Sequence, residues 1–248
     1  MVALLSGFHR QSPTSWFSAC LDRIRLGSVT DTDLVVLNAT SDGVSDTAWN
    51  SRTQLRALNR QVAPFNELKM RQLFGVEHVY ESYDVVSEGI VHPSRRAYAL
   101  SRAASLAPPS VTLKPGATVL TTREVSGTPT ATQGVVLQCL EASVVCRFGE
   151  KTVQVEFLGF DFVDNCNQRL VTRFCIPLTL AWAMTIHRAQ GASLETLAVD
   201  FSDMHWREQG LAYSGMSRCM AFESLFVRGL RREHIVVSAD ALAFYESM

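Results

Sequence analysis

Apolar residues recur three and four apart after Ser12. Trp16, Phe17, Cys20, Leu21 and Ile24 form one stripe, which predicts a helix capped by Ser12 with Pro13 at its first position. Gly27 ends it. A second short helix is predicted near Thr30–Asp33, its acids at the positive end of the helix dipole. Ser, Asp, Thr and Gly crowd Thr40–Asn50, which reads as a loop. Thr53–Leu58 reads as a strand, followed by a helix capped by Asn59. Val62, Phe65, Lys69 and Leu73 share one side of that helix before Gly75 closes it.

The period changes after Pro108-Pro109. Between Lys114 and Asn167 the candidate strands Val119–Thr122, Gly134–Leu140, Ser143–Phe148 and Thr152–Phe157 follow one another at about ten-residue spacing, the mark of a small antiparallel barrel or sheet. Beyond it an α/β rhythm resumes. Leu178–Arg188 reads as a buried helix, Leu197–Phe201 as a strand, Trp206–Cys219 as a helix, Leu225–Val227 as a strand and Ser238–Tyr245 as a last helix. The expected fold is an α/β domain interrupted by a β insertion, divided as 1–112, 113–168 and 169–248.

Composition narrows the class. With 47% apolar residues in a 248-residue chain, one or two packed domains are expected and wholesale disorder is excluded. No apolar run nears the roughly 20 residues of a membrane helix. The longest, around Ile176–Ile186, is broken by Pro177 and two threonines, so a soluble protein without a membrane partner is expected. Met1–His9 has neither a basic leader nor a small-residue cleavage site, so no secretory signal is expected. The formal net charge is -1. Split at 110 and 170, bases stand against acids 11 to 10, 5 to 6 and 7 to 8, so a nucleic-acid site has to be a local groove. The six cysteines form no C-x-x-C pair and the histidines no H-E-x-x-H, so buried, reduced thiols and no metal site are expected.

Two segments carry candidate chemistry. In Thr185-Ile186-His187-Arg188-Ala189-Gln190-Gly191, His187 and Gln190 would share a helix face that Gly191 terminates. In Ala212-Tyr213-Ser214-Gly215-Met216-Ser217-Arg218-Cys219, Arg218 is either a surface arginine at a helix end or a guanidinium reaching a phosphate across a cleft.

Together these segments resemble the C-terminal motifs of superfamily-1 DNA helicases of the Pif family and its RecD-like relatives. Pro177–Gly191 is similar to the family's fifth motif, with its Pro-Leu-x-Leu-Ala-x-Ala lead-in. Gly210–Val227 is similar to the sixth, where Tyr213, Ser217 and Arg218 match and Ser214, Gly215 and Met216 vary. Arg10-Gln11, Phe17 and Ile24-Arg25-x-Gly27 resemble the fourth. Leu58-Asn59 with Val62 and Asn66, and Leu113-Lys114-Pro115-Gly116-Ala117-x-Val119, fit in the same order. Two departures stand out. Thr130-Ala131-Thr132-Gln133 precedes Gly134-Val135 where the family has Asn-Gly, and Gly215 adds a helix-interior glycine costing about 1 kcal/mol relative to alanine.

The resemblance implies a second RecA-like motor domain interrupted by a small barrel of the Src-homology type. It implies the C-terminal portion of an ATP-dependent 5′→3′ DNA helicase, with ATP and Mg2+ as cofactors of the complete protein and single-stranded or forked DNA as partner. Arg10 and Arg218 would reach the γ-phosphate, and Gln11, Gln190 and Gly191 would sit at the nucleotide. Thr185, His187, Arg188, Gly210, Tyr213, Ser214, Ser217 and Arg228 would face DNA. Repair, recombination or telomere maintenance in a nucleus or mitochondrion is what such a family suggests. The sequence contains no G-x-x-x-x-G-K-[ST] and no apolar strand ending in Asp-Glu, so the ATP-binding half is the missing partner and this chain alone is not expected to bind a cofactor or hydrolyse ATP. The alternative is a non-catalytic, degenerate module that binds DNA or a partner helicase. An unrelated α/β enzyme would need a G-x-S-x-G, a dinucleotide loop or metal-ligand spacing, and none is present.

Overall fold

In the computed structural model, which describes residues 11, 12, 14–90 and 92–246, Ser15 and not Ser12 caps the first helix. Ser15 Oγ accepts the Ser18 N–H, and α1 (Trp16–Arg25) buries Phe17, Cys20, Leu21 and Ile24 while Trp16 stays partly exposed. Pro13 lies outside the described residues. Helix α2 (Asp31–Ala39) opens on a capping box in which Thr30 and Asp33 satisfy each other's backbone N–H groups. The expected loop at 40–50 in fact holds a further helix, α3 (Asp46–Asn50), capped by Ser45. Its anchor is the buried Trp49, and with only Val44 and Ala48 as further apolar residues in a polar stretch there is no periodicity to detect. Strand β1 (Thr53–Arg56), two residues shorter than predicted, and helix α4 (Asn59–Gln72), which takes Asn59 as its first residue, follow.

The β-rich part begins well before residue 113. Strands β2 (His78–Glu81) and β3 (Tyr83–Val86), helix α5 (Pro93–Ala103) and β4 (Ser110–Leu113) precede the predicted meander. The meander itself is β5 (Thr118–Thr121), β6 (Gln133–Cys139), β7 (Ser143–Phe148) and β8 (Lys151–Glu156), and it continues into β9 (Leu158–Val163), β10 (Arg169–Cys175) and β11 (Leu178–Leu180). A five-stranded antiparallel sheet runs β11-β5-β6-β7-β8, a second runs β3-β10-β9, and β2 pairs with β4. Helix α5 covers the three-stranded sheet, burying Ile90, Ala99, Ala103, Leu170 and Val171 together.

The segment Leu178–Arg188 is not a helix. It is β11, then β12 (Ala183–Thr185), then a single turn, α6 (Ile186–Ala189). A short apolar run suits a buried strand and a buried helix equally well. Here β-branched Thr179 and Thr185 and two waiting sheet partners decide for strands. Strand β13 (Leu197–Asp200) precedes a 3-10 turn at Met204–Trp206 and α7 (Leu211–Met216), so the expected helix Trp206–Cys219 is much shorter. Gly210, at φ +71°, starts α7 afresh. Strand β14 (Leu225–Arg228) and α8 (Ala239–Glu246) complete the chain.

The chain forms two compact units, one from residues up to Glu67 and from Ala181 onward, the other from Leu68 to Leu180. This corrects the boundaries at 112 and 168. The physical reason is the sheet β3-β10-β9, which pairs strands from both sides of the predicted insertion over one core.

The first unit is built on a four-stranded parallel sheet of order β12-β1-β13-β14. Helix α6 packs against β1 and α7, α7 against β13 and α1, and α2 against β14. Both sheet edges are blunted by side chains. Asn66 Nδ2 donates to Ala183 O (2.9 Å) while its Oδ1 accepts the Ala183 N–H (2.8 Å), extending the ladder beyond β12. On the other edge Thr40 Oγ1 accepts the Val227 N–H at 2.9 Å, and Asn38 exchanges two bonds with Leu230.

In the second unit, Lys114 is buried and its Nζ donates to the Met70 and Leu73 carbonyls at 3.4 Å, with Glu77 at 3.3 Å. The Lys-Pro-Gly motif therefore closes the end of α4. Among the described residues no helix is long and apolar enough to cross a membrane.

Candidate functional site

The fourth, fifth and sixth motifs meet at the amino ends of the parallel strands. Gln11 is buried, and its Nε2 donates to Ser217 O (2.9 Å) and Cys219 O (2.7 Å), bridging more than 200 residues of chain. Between those carbonyls lies Arg218. Its Nε donates to Ser214 O (2.9 Å) and its Nη2 to Ser217 Oγ (3.0 Å), so the half-exposed guanidinium is held by the turn that carries it. The fifth motif joins from the other side. Leu194 N–H donates to Arg218 O (2.9 Å) and Met220 N–H to Leu194 O (3.2 Å), a parallel bridge that fixes the loop after Gln190 and Gly191 against the Arg218 turn.

Burial explains why this arrangement is rigid. Ala192, Leu194, Ser217 and Cys219 are buried, whereas Gln190 and Gly191 lie at the surface. Gln190 leaves the helix at ψ 124° and Gly191 turns at φ +88°, so His187 and Gln190 do not share a helical face as predicted. Burial pushes the Cys219 thiol up to about 11, with the Arg52 charge pulling the other way.

The remaining predicted residues divide by position. Arg10 lies outside the described residues. Thr185 is buried at the end of β12, with His187 and Arg188 exposed on α6 just beyond it. Gly210 and the half-buried Tyr213 lie at the start of α7, on a cavity of about 360 Å³ that Arg25 and His234 also line. They are at the opposite end of that helix from Arg218. Ser214 supplies its carbonyl to Arg218 and Ser217 its hydroxyl, so both side with the guanidinium. Arg228, at the carboxyl end of β14, lies over the Trp49 ring at 4.2 Å. Trp49 stacks on Phe226 (6.2 Å, 16°), and Arg52 lies 3.5 Å over the Phe226 ring. Sequence reasoning passed over Arg52 and Arg56.

The amide of Gln11 is spent on backbone carbonyls, which makes it a positioning residue for the Arg218 turn. The six cysteines are free thiols, Cys166 exposed and Cys139 half-buried, the other four buried. Among the described residues no three His, Cys, Asp or Glu side chains converge in a group that suits a metal ion.

No protein-family model matches the chain. Among curated proteins it is 28% identical to the ATP-dependent DNA helicase PIF6 of Trypanosoma brucei brucei, over 96% of this chain and 30% of that protein. It is 29% identical to the ATP-dependent DNA helicase Pif1 of Bdellovibrio bacteriovorus, over 93% of this chain and 51% of that protein. Among solved structures, the Pif1 helicase of Candida albicans superposes with a TM-score of 0.71 at 25% identity, over 97% of this chain and 59% of that one. Unliganded Pif1 from Bacteroides sp superposes with a TM-score of 0.76 at 20% identity, over 97% and 55%. Fold and motif geometry thus define the class as a helicase-type mixed α/β protein. Over almost its whole length the chain is similar to Pif1-type DNA helicases, at 28–29% identity. It spans about a third to a half of the length of these curated relatives.

Proposed function

We propose that this chain is the C-terminal portion of an ATP-dependent 5′→3′ DNA helicase. Its first unit serves as the second RecA-like motor domain, and the five-stranded sheet of the second unit forms the Src-homology-type barrel. The observation that supports this reading is the clasp of Gln11 on the Arg218 turn, which unites three helicase motifs at one edge of the sheet.

Charge that develops on a transferred phosphoryl group is stabilised by guanidinium groups fixed in advance. Arg218, held by Ser214 and Ser217 and braced by Gln11, meets that requirement, and Arg10 is its proposed companion. ATP and Mg2+ would be held chiefly by the other motor half, which carries the P-loop. This chain supplies the arginines and the edge residues Gln190 and Gly191. Thr185, His187 and Arg188 lie at the other end of β12 and α6, where a DNA strand would run. Nucleotide and DNA would thus act on opposite ends of the same strands, and Leu194 would couple them.

The test joins this chain to its ATP-binding half. Arg218→Ala is expected to abolish DNA-stimulated ATP hydrolysis while leaving oligonucleotide binding intact, and the present chain alone is expected not to hydrolyse ATP. Equal loss of both activities in Arg218→Ala, or hydrolysis by this chain alone, would refute the assignment.

A further inference from the structure

The carboxyl ends of the parallel strands line up Thr185, Arg56, Asp200 and Arg228. Arg56 stands opposite Thr185, Asp200 opposite Arg228, and the Leu55–Val199 register sets Arg56 beside Asp200 at the ends of adjacent strands. Open α/β sheets bind ligands in the crevice outside these carboxyl ends. Most of this row is already compensated. Arg228 lies over the Trp49 ring, Asp200 Oδ1 accepts the Ser202 N–H at 2.9 Å, and Thr185 is buried.

Arg56 is the exception. It is half-buried and makes no hydrogen bond or ion pair with any described residue, and its Nε is sealed from solvent with no partner. Its guanidinium carbon lies 5.7 Å from the Phe65 ring centroid, at the far end of the cation–π range. Arg52, at the other end of β1, also has a buried Nε without a partner, but it lies 3.5 Å over Phe226 and so gains a cation–π contact. Burial pulls the Arg56 pKa below the usual arginine value, and only Asp200 opposes the shift. Leaving an arginine desolvated and unpaired costs stability that an apolar side chain at the same position would not. Such a cost is retained where a ligand supplies the missing partner.

We propose that Arg56 binds a phosphodiester group of the single-stranded DNA that crosses the carboxyl edge of the sheet. The proposal rests on the reading of this edge as the DNA side. None of the motifs shared with the family includes Arg56. A phosphate suits the group because the planar guanidinium pairs with two of its oxygens at once. A nucleotide phosphate at Arg218 does not reach it. Arg56 and the Arg218 turn lie at opposite ends of strands whose four residues rise roughly 3.3 Å each.

The test uses the full 248-residue chain. Binding of a fluorescein-labelled oligo-dT is followed by anisotropy across a salt series for wild type, R56A and R56K. The Tm of each is measured with and without inorganic pyrophosphate. R56A is expected to bind about tenfold more weakly at low salt, the loss of one charge-assisted hydrogen bond. Its slope of log Kobs against log salt should fall by about 0.7, the single-strand value for one phosphate contact. R56K should keep the slope and recover part of the affinity. Without anion the Tm of R56A should equal or exceed that of wild type, and pyrophosphate should raise the Tm of wild type only.

Unchanged affinity and slope in R56A overturn the contact and leave the DNA reading standing. A lower Tm in R56A with an unchanged slope makes Arg56 structural and also overturns the contact. If wild type fails to bind oligo-dT yet gains pyrophosphate protection through Arg56, the DNA reading falls and an anion site remains. If neither occurs, both fall.

Discussion

Replacing Gln11 with alanine removes two buried hydrogen bonds at once, at 2.9 and 2.7 Å, from the Ser217 and Cys219 carbonyls. Each buried acceptor deprived of its donor costs about 1–3 kcal/mol. Releasing the glutamine side chain returns about 1–2 kcal/mol of rotamer entropy, so a net loss of about 2–3 kcal/mol is expected. Gln11→Glu should be worse than Gln11→Ala, because a carboxylate would face two carbonyl oxygens with no proton to share. The natural assay is urea unfolding followed by tryptophan fluorescence. Trp16, Trp49, Trp182 and Trp206 all belong to the first unit, so the signal reports that unit alone. With a slope of about 1–3 kcal/mol per molar urea, the midpoint should fall by about 1–2 M. Amide exchange should quicken at Leu194 and Met220, whose N–H groups bridge to the Arg218 turn. In the two-domain helicase, hydrolysis should drop with Arg218 itself intact. A Gln11→Ala loss under about 0.5 kcal/mol, with Gln11→Glu no worse, would refute the clasp.

Two further expectations follow from packing and charge. A Cβ on Gly134 would lie 2.4 Å from Phe148 Cδ1 and 2.6 Å from the Arg147 carbonyl oxygen, and the latter belongs to the paired strand. Gly134→Ala should therefore destabilise the second unit by about 2 kcal/mol or more, read as a lower midpoint by far-UV circular dichroism, and a neutral result would refute the close approach. Stability should also fall with acid in two steps. Burial holds the His234 imidazole below its usual 6.5, so the unfolded chain takes up the proton first and stability is lost as pH falls from about 6.5. Arg23 Nε, 2.8 Å from Asp33 Oδ2, and the Thr30 cap hold the Asp33 carboxyl well below its usual 3.8. That contribution is complete above about pH 4 and is lost below it. Midpoints measured against pH should lose the upper step in His234→Gln, and the lower step should shrink in Asp33→Asn to the part that Asp203, also held low by hydrogen bonds from His205, contributes. An upper step that persists, or a lower step of unchanged size, would refute its assignment.

Much of the site was legible before the fold was known, because the order of the motifs places the right residues in one list. Arg218, Ser217, Gln190 and Gly191 emerge from two short stretches of sequence. What that order does not contain is their division between edges. Tyr213 and Gly210 share a motif with Arg218 yet occupy the far end of α7, and Gln11 proves to be a brace whose amide is spent on the backbone. Arg52 and Arg56 carry no local signal, since an isolated arginine beside a short strand is an ordinary surface residue until its Nε is found sealed from solvent. The motif residues Asn66 and Lys114 turn out to serve backbone carbonyls and amides at element ends.

By itself the sequence determined whatever depends on neighbours along the chain. The stripe of α1, the Thr30–Asp33 capping box and the four-strand meander from Thr118 to Glu156 belong here, because caps and alternation act within a few residues. Tertiary structure alone decided whatever depends on distant partners. It made strands of Leu178–Thr185, because β5 and β1 offered unpaired edges to an apolar run that local propensity leaves undecided. It moved the unit boundaries to 67 and 180, because β3 and β10 close one core across the predicted insertion. It also joined Gln11 to Ser217, a contact more than 200 residues long in the chain that no local pattern encodes.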